Sequence, residues 1–425
     1  MELDSKQEFV AFIGIDWADT KHDIAIRDVK TGKVEHLTIA HTPETIEKWA
    51  RSLEAQYGGG KIAVCLEQSR GPLIFALLKY SFLVLFPINP KTLWSFRKAF
   101  TPSGAKNDTR DTDLLLEFLE KHRERLKPWR VTDEKTQTLQ YLVEYRRRLV
   151  EDRKKLQNRL TALLKGYFPQ ALELFSHIGT DIVCDFLLKY PSLEKAQKAT
   201  PSALIKFFES HNSRGKELNQ KRVTLIEESI PLTKDKAVIS SSILMVTATA
   251  REIKQFISDI SDFDSEIEKL CSTHQDFRLF NSLPGAGPNF ASRMVVAFGT
   301  DRNRFSSAEE ILCLSGIAPI QVQSGNTEIT RWRLFCPKFL RQTFHEFAGQ
   351  SIMHSFWAKA YYQQQRARGK SANAAKRSLA FKWIRIIFRC WKENTPYNEV
   401  KYLESLRKKG SPLLPFAAGN PIQTS

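Results

Sequence analysis

The feature that most constrains this chain is a succession of short apolar runs in the first fifth of its length. Five runs of strand length occupy residues 9–16, 21–27, 34–39, 61–67 and 82–88. The second run alternates apolar with polar residues, which predicts a strand with one covered face. The first, fourth and fifth runs are almost uninterrupted, which predicts strands covered on both faces. We therefore expect a buried sheet in this part of the chain.

Helical patterns lie between the later runs and set the order of the elements. The pair Thr42–Pro43 provides an N-cap and a first-turn proline for an amphipathic helix that continues to Leu53, and residues 72–79 predict a second helix. The predicted order is three antiparallel strands, a helix, and then strand, helix and strand. That order is typical of the ribonuclease H-like fold, so we expect an α/β domain of this type over residues 8–130.

Residues 131–275 are predicted to form a stalk of long helices. One helical pattern covers residues 136–168, and a second covers about 238–270. In the first helix, leucines recur every seven residues, at Leu142, Leu149, Leu156 and Leu163. That spacing is typical of a short coiled coil. Two long helices around a small helical insertion at about 170–235 favour a hairpin stalk that pairs with itself or with another protomer, and we expect a homo-oligomer.

The rest of the chain predicts a helical C-terminal domain over residues 276–396. A turn at 283–287 joins its first two helical stretches. We expect an irregular stretch at 319–331, followed by long helices rich in basic and aromatic residues up to about Asn394. Residues 397–425 are expected to be a tail that is loose in its last part.

The net charge of +17 is concentrated towards the C-terminus. Residues 331–410 contain 18 Lys or Arg against four acids, and Trp, Phe and Tyr alternate with the bases. Phosphate charge dominates the affinity of proteins for nucleic acids, and a basic surface laid on an aromatic core suits that charge. We expect DNA as a partner, and a merely solvated basic face is the alternative. The pattern does not distinguish DNA from RNA.

Composition disfavours several other classes of protein. The six cysteines include no CxxC pair and no histidines at zinc-ligand spacing, so neither a disulfide framework nor a structural zinc site is expected. No apolar run approaches the ~20 residues that a membrane-spanning helix needs, and the acidic N-terminus lacks the features of a secretory signal. We expect a cytoplasmic protein without a membrane partner.

Four acids are candidates for a metal site. Asp16 ends the first run and Glu67 ends the fourth. Asp108 and Asp111 have the i, i+3 spacing that puts two carboxylates on one helix face. Clustered carboxylates need a cation, and oxygen ligands suit Mg²⁺ or Mn²⁺. Taken singly, each acid is equally suited to a cap or a surface ion pair. Three nearby acids have the wrong phase or position for the cluster: Asp19, Asp23 and Asp113.

Taken in order along the chain, these motifs resemble those of the DEDD-type transposases of the insertion-sequence 110 family. The matching stretches are 14–16, 66–67, 88–90, 106–111, 283–287, 305–310, 316–319 and 324–325. The resemblance implies a RuvC-like N-terminal domain and a C-terminal transposase domain that cleave and rejoin DNA to excise and insert a bacterial or archaeal element. It implies a structured guide RNA as a partner and association with the nucleoid. It also implies a set of catalytic Mg²⁺ or Mn²⁺ ligands: Asp16, Glu67, Asp108 and Asp111.

The family's second catalytic element is a serine nucleophile in the C-terminal domain. The Ser-Gly turn of the family is kept as Ser324–Gly325, whereas a second stretch that contains serine is replaced here by residues 333–339, without serine or glycine. Ser324 is therefore the first candidate nucleophile, Cys336 the second and Thr330 the third, with water as an alternative. Four nearby basic residues are expected to bind phosphate: Arg331, Arg333, Lys338 and Arg341.

The turn at 283–287 resembles the hairpin of helix–hairpin–helix DNA-binding proteins. In such a turn, the backbone amides around Gly285 and Gly287 hold a phosphate without contacting a base. A tight connection between two helices, without any ligand, is the alternative.

Three other functions stay open at this point. A Holliday-junction-type, structure-specific endonuclease would use the same acids without a protein nucleophile. A catalytically decayed nucleic-acid-binding protein would account for the altered second serine stretch. An actin-like sugar kinase or ATPase shares a strand that ends in Gly-Ile-Asp, but it needs glycine-rich phosphate loops, and none follows Asp16.

Overall fold

The computed structural model describes residues 8–67, 71–100, 108–129, 133–213, 215–325 and 327–413, except for the side chains at 99–100, 108–110 and 324. The chain forms two compact units, Met1–Val131 and Thr132–Ser425. The first is a mixed α/β unit, and the second is mostly helical. Throughout the described ranges, no helix combines the length and apolar content needed to cross a membrane.

The first unit contains a five-stranded sheet. Its strands are β1 (Ala11–Trp17), β2 (Lys21–Asp28), β3 (Val34–Ala40), β4 (Ile62–Leu66) and β5 (Leu83–Pro87). The order across the sheet is β3-β2-β1-β4-β5. Strands β1, β2 and β3 are antiparallel, whereas β4 pairs in parallel with both β1 and β5. All five predicted strands are confirmed.

Helices cover both faces of this sheet. They are α1 (Pro43–Gln56), α2 (Pro72–Leu77), α3 (Pro90–Phe100) and α4 (Asp108–His122), followed by a 3-10 turn at Arg123–Arg125. One sheet face, with Ile13 and Val64, packs on apolar residues of α1 and α2. The other face, with Cys65 and Phe86, packs on α3 and α4. Burial on both faces explains the uninterrupted apolar runs that form β1, β4 and β5.

Two long helices lie side by side in the second unit, α5 (Glu134–Tyr167) and α11 (Lys236–Ser272). Arg146 on α5 forms a two-pronged ion pair with Asp264 on α11, with an Nη2–Oδ2 distance of 2.8 Å. The insertion between them contains α6 (Gln170–Leu174), α7 (Asp181–Lys189), α8 (Leu193–Gln197), α9 (Pro201–Ser210) and α10 (Lys216–Glu228). Both predicted long helices and the helical insertion are confirmed.

The heptad leucines do not mark one continuous buried stripe on α5. Leu156 is buried, and the other three are half-buried. The helix packs against two separate cores. Leu139 and Val143 belong to the C-terminal core, whereas Leu160 and Leu164 belong to the core of the insertion. A coiled-coil seam along the leucines therefore stays a prediction, because the buried positions of α5 follow two different packing partners.

The C-terminal part of the second unit is a helical core around three fully buried tryptophans, Trp357, Trp383 and Trp391. Its helices are α12 (Phe277–Asn281), α13 (Gly287–Phe298), α14 (Ala308–Leu314), α15 (Lys338–His354), α16 (Phe356–Ala367), α17 (Ala372–Lys392) and α18 (Glu399–Lys408). Helix α18 lies in the predicted tail, where Tyr402, Leu403 and Leu406 pack against this core.

One prediction for this part is wrong. Residues 319–331, expected to be irregular, contain a β-hairpin of β6 (Ile320–Ser324) and β7 (Thr327–Arg331). Ile320 and Val322 alternate with Gln321 and Gln323, a strand pattern of only four residues. The described side chains of the hairpin are mostly exposed on both faces, so no buried run marks it as a strand. Gly325, with a φ of 57°, provides the left-handed residue that its tight turn requires.

Candidate functional site

The ends of two neighbouring strands carry the first two candidate acids. Strands β1 and β4 are parallel, and the last pair in their register joins Ile15 to Leu66. Asp16 and Glu67 each follow that pair by one residue, and both are half-buried. Parallel neighbours in register point to the same face, about 4.8 Å apart in backbone position. The sheet therefore brings Asp16 and Glu67 to one edge, as the sequence predicts.

Helix α4 approaches this edge closely because β1 contains Gly14. A Cβ atom at Gly14 would meet the backbone carbonyl of Thr112 and would lie 2.8 Å from the backbone nitrogen of Leu116. Gly14 and Asp16 are two residues apart and share one face of β1. The first turn of α4, which starts at Asp108, thus begins on the same face as Asp16.

The carboxylate of Asp111 is buried and paired with a cation. Its side chain is 7% exposed, and its Oδ1 lies 2.6 Å from Nη2 of Arg97 on α3. The Nε atom of Arg97 is also buried, and it has no hydrogen-bond partner among the described residues. Sequence analysis missed Arg97, because no motif singles out one basic residue of an amphipathic helix.

The donor atoms at this edge decide whether a metal ion fits there. Within the described ranges, no three or more His, Cys, Asp or Glu side chains form a group that could hold a metal ion. The side chain of Asp108 lies outside the described residues. Carboxylate oxygens from Asp16, Glu67 and the start of α4 are the ligand type that Mg²⁺ prefers. The donor chemistry and topology fit, and the four-acid ligand set stays a prediction.

Two of the three neighbouring acids contact other polar side chains. Asp23 lies opposite Asp16 in the β1–β2 register and accepts a hydrogen bond from the Thr38 hydroxyl at 2.5 Å. The Oδ1 of Asp113, exposed on α4, lies 2.7 Å from Nε2 of His36. Asp19 is also exposed. The exposure of Asp19 and Asp113 agrees with the expectation that they are surface acids. The expected wrong phase does not hold for Asp23, because it is the register partner of Asp16 and the two side chains share one face of the sheet.

A buried histidine lies near the same edge. The Nε2 of His22 on β2 lies 2.8 Å from Nδ1 of His41. Burial, and then the charge of His41, lowers the pKa of His22 to about 4, so His22 is neutral at pH 7. Sequence analysis did not select His22, although its phase with Ile24 and Ile26 places it on an inward position of β2.

The candidate nucleophile belongs to the β-hairpin of the second unit. Ser324 is the last residue of β6 and pairs with Thr327 across the turn, and its side chain lies outside the described residues. Thr330, the third candidate, is exposed on β7. Cys336 is half-buried beside Gly316, where a Cβ atom would meet the Cys336 sulfur. Cys336 is thus held by close packing, in contrast to the exposed Thr330.

The predicted phosphate-binding residues differ in their surroundings. Arg331 and Lys338 are exposed. The Nη2 of Arg341 donates hydrogen bonds to the backbone carbonyls of Arg333 and Leu334, so Arg341 also shapes the segment after β7. The Nη2 of Arg333 lies 3.6 Å from the Cys313 sulfur. Arg331 and Lys338 are therefore the more accessible pair.

The two glycines of the predicted DNA-binding turn also differ. Gly285 has a φ of 75°, and a Cβ atom there would lie 2.5 Å from Cδ2 of His354. Gly287 has a φ of 52°, and a Cβ atom there would have open space. Close packing accounts for Gly285 without any ligand. Phosphate binding by this turn stays a prediction, and the accessible backbone at Gly287 is the part that suits it.

Comparison with known proteins gives two family matches on this chain. Residues 13–169 match the transposase family described as DEDD_Tnp_IS110, and residues 277–363 match the transposase family IS116/IS110/IS902. The first match includes the four candidate acids. The second includes the hairpin, the 283–287 turn and the candidate phosphate-binding residues. Most of the stalk beyond α5, including the helical insertion, lies outside both matches.

Individual relatives extend over longer parts of the chain. The mini-circle putative transposase for IS117 of Streptomyces coelicolor is 26% identical over 97% of this chain and 100% of its own length. The putative transposase y4uE of Sinorhizobium fredii is 29% identical over 48% of this chain and 57% of its own. The uncharacterized 42 kDa protein of insertion element IS900, from Mycobacterium paratuberculosis, is 22% identical over 80% of this chain and 85% of its own.

Proposed function

Because this chain belongs to the IS110 family of insertion-sequence transposases, we propose that it cleaves and rejoins DNA strands to excise and insert its element. The observation that carries the proposal is the placement of Asp16 and Glu67 at the ends of adjacent parallel strands, with α4 packed on the same face at Gly14. We propose a RuvC-like, ribonuclease H-like fold for this unit, supported by the strand order β3-β2-β1-β4-β5.

The proposed metal ligands are the four acids, Asp16, Glu67, Asp108 and Asp111. Bound Mg²⁺ or Mn²⁺ would supply charge stabilisation for the attacking and leaving oxygens of a phosphodiester. The protein's own contribution is to hold the ligands on packed elements. Arg97 fixes Asp111 through their ion pair, and Gly14 allows α4 to lie against β1.

Ser324 is the proposed nucleophile, with Cys336 and Thr330 as the other candidates. The hairpin turn at Gly325 supports Ser324, because glycine leaves room for the backbone of a DNA strand. Cys336 is half-buried and packs against Gly316, which limits the access of its sulfur to a phosphate. Arg331 and Lys338, both exposed, would hold the phosphate by charge.

Two further partners are proposed, a guide RNA and a second copy of the chain. A structured guide RNA would use the same kind of basic surface as DNA, and 18 Lys or Arg in residues 331–410 provide it. A second copy of the chain would pair through the half-buried heptad leucines of α5.

One observation favours a second candidate function, a structure-specific nuclease that uses the acids with water as the nucleophile. Residues 333–339 contain neither serine nor glycine, in contrast to the family stretch they replace. Such an enzyme would cleave DNA and release a free end without any covalent protein–DNA intermediate.

The deciding experiment traps that intermediate. The full chain is incubated with its element's ends, the flanking RNA and Mg²⁺, and covalent adducts are isolated and their peptides sequenced. We expect an adduct on Ser324 that Ser324→Ala abolishes, whereas Cys336→Ala forms the adduct normally and mainly loses thermal stability. Cleavage without an adduct would establish the nuclease instead, and an adduct on Cys336 would replace serine by a thiolate.

A further inference from the structure

A cavity of about 510 Å³ lies beside the hairpin in the second unit. Its walls come from the end of β7, from α16 and from α17. The residues that matter for its chemistry are Arg331, Trp332, Arg333, Tyr361, Lys370 and Arg377. The volume falls in the range of about 300–1,000 Å³ that is usual for pockets that hold small organic ligands. We call it the basic cavity.

All the charged side chains that line the basic cavity are positive. Arg331, Arg333, Lys370 and Arg377 all line it, and its described lining includes no acid. In the part of the chain that the structure describes, none of these four cations has a carboxylate partner. Burial, and then the charge of Arg341, lowers the pKa of Arg377 to about 10, so Arg377 is still a cation at pH 7. Like charges held together repel unless an anion enters.

Aromatic rings make up much of the remaining wall. Trp332 is 50% exposed, and the Arg377 guanidinium lies over its indole ring. Tyr361 is half-buried, and Nζ of Lys382 lies 4.3 Å from its ring centre. A large ring left half-exposed beside uncompensated cations is the arrangement on which proteins stack the bases of single strands.

The volume, the positive charge and the aromatic rings of the cavity can be compared with what each class of ligand needs. Inorganic phosphate alone would satisfy the cations but would leave most of the cavity and both rings uncovered. An apolar side chain of another protein would cover the rings but would leave four cations facing it. A nucleotide has both a flat base and an anion, and a paired base inside a duplex cannot reach a wall of rings.

We propose that the basic cavity holds one unpaired nucleotide of a nucleic-acid strand, with its base against the exposed part of the Trp332 ring that the Arg377 guanidinium leaves uncovered, and its phosphate against Arg331, Lys370 and Arg377. The proposal rests on the proposed function, because it names a feature of the substrate that a DNA transposase would bind. Binding of an extrahelical base here does not depend on Ser324 or on the acids of the first unit.

The test uses the full chain and duplexes that contain the fluorescent base 2-aminopurine. One duplex carries a single unpaired 2-aminopurine, and the control duplex carries the same base fully paired. We expect the unpaired probe to bind roughly fivefold or more tightly than the paired probe, because one base–aromatic stack contributes about that much affinity. We also expect the fluorescence of the unpaired probe to be quenched on binding. Equal affinity with unchanged fluorescence would overturn the proposal.

Variants locate the effect within the molecule. Trp332→Ala should abolish both the preference and the quenching. Its matched control is Trp94→Ala, because Trp94 is 52% exposed and has Nζ of Lys98 4.1 Å from its ring, but it belongs to the first unit. Arg377→Gln should also reduce the preference, whereas Arg385→Gln, which removes an exposed charge from the same helix, should not. Loss of the preference in both control variants would contradict the assignment.

Two further arms separate this inference from the proposed function and identify the strand. Single-stranded DNA and single-stranded RNA with the same 2-aminopurine sequence show which polymer supplies the nucleotide, and Trp332-dependent quenching of either supports the cavity. If wild type shows the preference but never cleaves element ends, the proposed function fails and the cavity stands. If wild type forms the Ser324 adduct but binds paired and unpaired probes equally, the proposal for the cavity fails and the proposed function stands.

Discussion

The acidic edge of the first unit and the basic cavity of the second unit are built in opposite ways. The acidic edge consists of Asp16, Glu67 and the first turn of α4, a few charges fixed by packed strands and a packed helix. The basic cavity has four cations, two at or just after the end of the exposed hairpin and two on α17 or in the loop before it. Charges that are few and rigidly held suit chemistry, whereas charges that are many and exposed suit affinity. Substitutions in the acidic edge should therefore lower recombination activity, whereas substitutions in the basic cavity should lower nucleic-acid affinity.

The largest expected effect is the loss of activity when a proposed metal ligand is removed. Asp16→Ala, Glu67→Ala and Asp108→Ala should each lower recombination by more than about 100-fold, because electrostatic stabilisation of the transition state is lost. DNA affinity and the far-ultraviolet circular dichroism should stay near wild type. A chelator should inhibit wild type to the same extent.

The matched control for these variants is Asp113→Ala. Asp113 lies on the same helix, α4, but it is exposed and contacts His36. We expect it to keep most of its activity. Full recombination by Asp16→Ala in Mg²⁺ would remove the metal-site assignment, and equal losses in Asp108→Ala and Asp113→Ala would point to a packing defect of α4.

The second prediction concerns affinity and should leave the acidic edge unaffected. If the basic surface over residues 331–410 makes six or more phosphate contacts, DNA binding should weaken by roughly 1,000-fold between about 50 and 200 mM salt. Fluorescence anisotropy over a series of salt concentrations measures the slope. A slope near zero would show that the charge is only solvated, and a normal slope in Asp16→Ala would confirm that the two regions act independently.

The acidic edge was largely predictable from sequence, and the basic cavity was not. Asp16 and Glu67 end almost uninterrupted apolar runs, which indicate buried strands, so their meeting at one edge follows from the strand order. The approach of α4 to Gly14 and the pairing of Arg97 with Asp111 depend on tertiary packing, which no local pattern encodes. These two contacts decide how the helix is placed at the edge.

The sequence did not predict the cavity, for two physical reasons. Its hairpin is short and exposed, and the alternation of Ile320 and Val322 with glutamines in β6 covers only four residues. Its other wall comes from α16 and α17, distant in sequence from Trp332, and only the packing of the tryptophan core brings them together. Composition indicated a basic and aromatic segment here but could not indicate which rings and cations share one space.

The third prediction tests the role of Asp111, a buried acid that is paired with Arg97. Arg97→Gln should lower the free energy of unfolding by about 3 kcal/mol, towards the lower end for a broken buried pair because Arg97 is 21% exposed. Lys98→Gln, one residue along α3, is the control and should change little. Chemical denaturation measures both.

The same variant distinguishes a structural from a metal-binding Asp111. If Asp111 binds Mg²⁺, the metal compensates its charge, and the cost of Arg97→Gln should shrink in saturating Mg²⁺ relative to chelator. An identical cost in both conditions would leave Asp111 as a structural acid and reduce the proposed ligand set to Asp16, Glu67 and Asp108.

The smallest expected effect tests the packing that places α4 at the edge. Gly14→Ala inserts a methyl group against the backbone of Thr112 and Leu116, so it should cost about 1–3 kcal/mol of stability, as overpacking usually does. Gly166→Ala is the matched control, because Gly166 lies in α5 with open space around its Cβ position. This control should gain about 0.5–1 kcal/mol of stability.

Because a shift of α4 moves Asp108 and Asp111 relative to Asp16, recombination by Gly14→Ala should fall further than its stability loss explains, at a temperature where the variant is fully folded. DNA affinity and its salt slope should not change, since the basic surface belongs to the other unit. Wild-type recombination by a folded Gly14→Ala variant would show that the close contact of α4 with β1 is not what positions the acids.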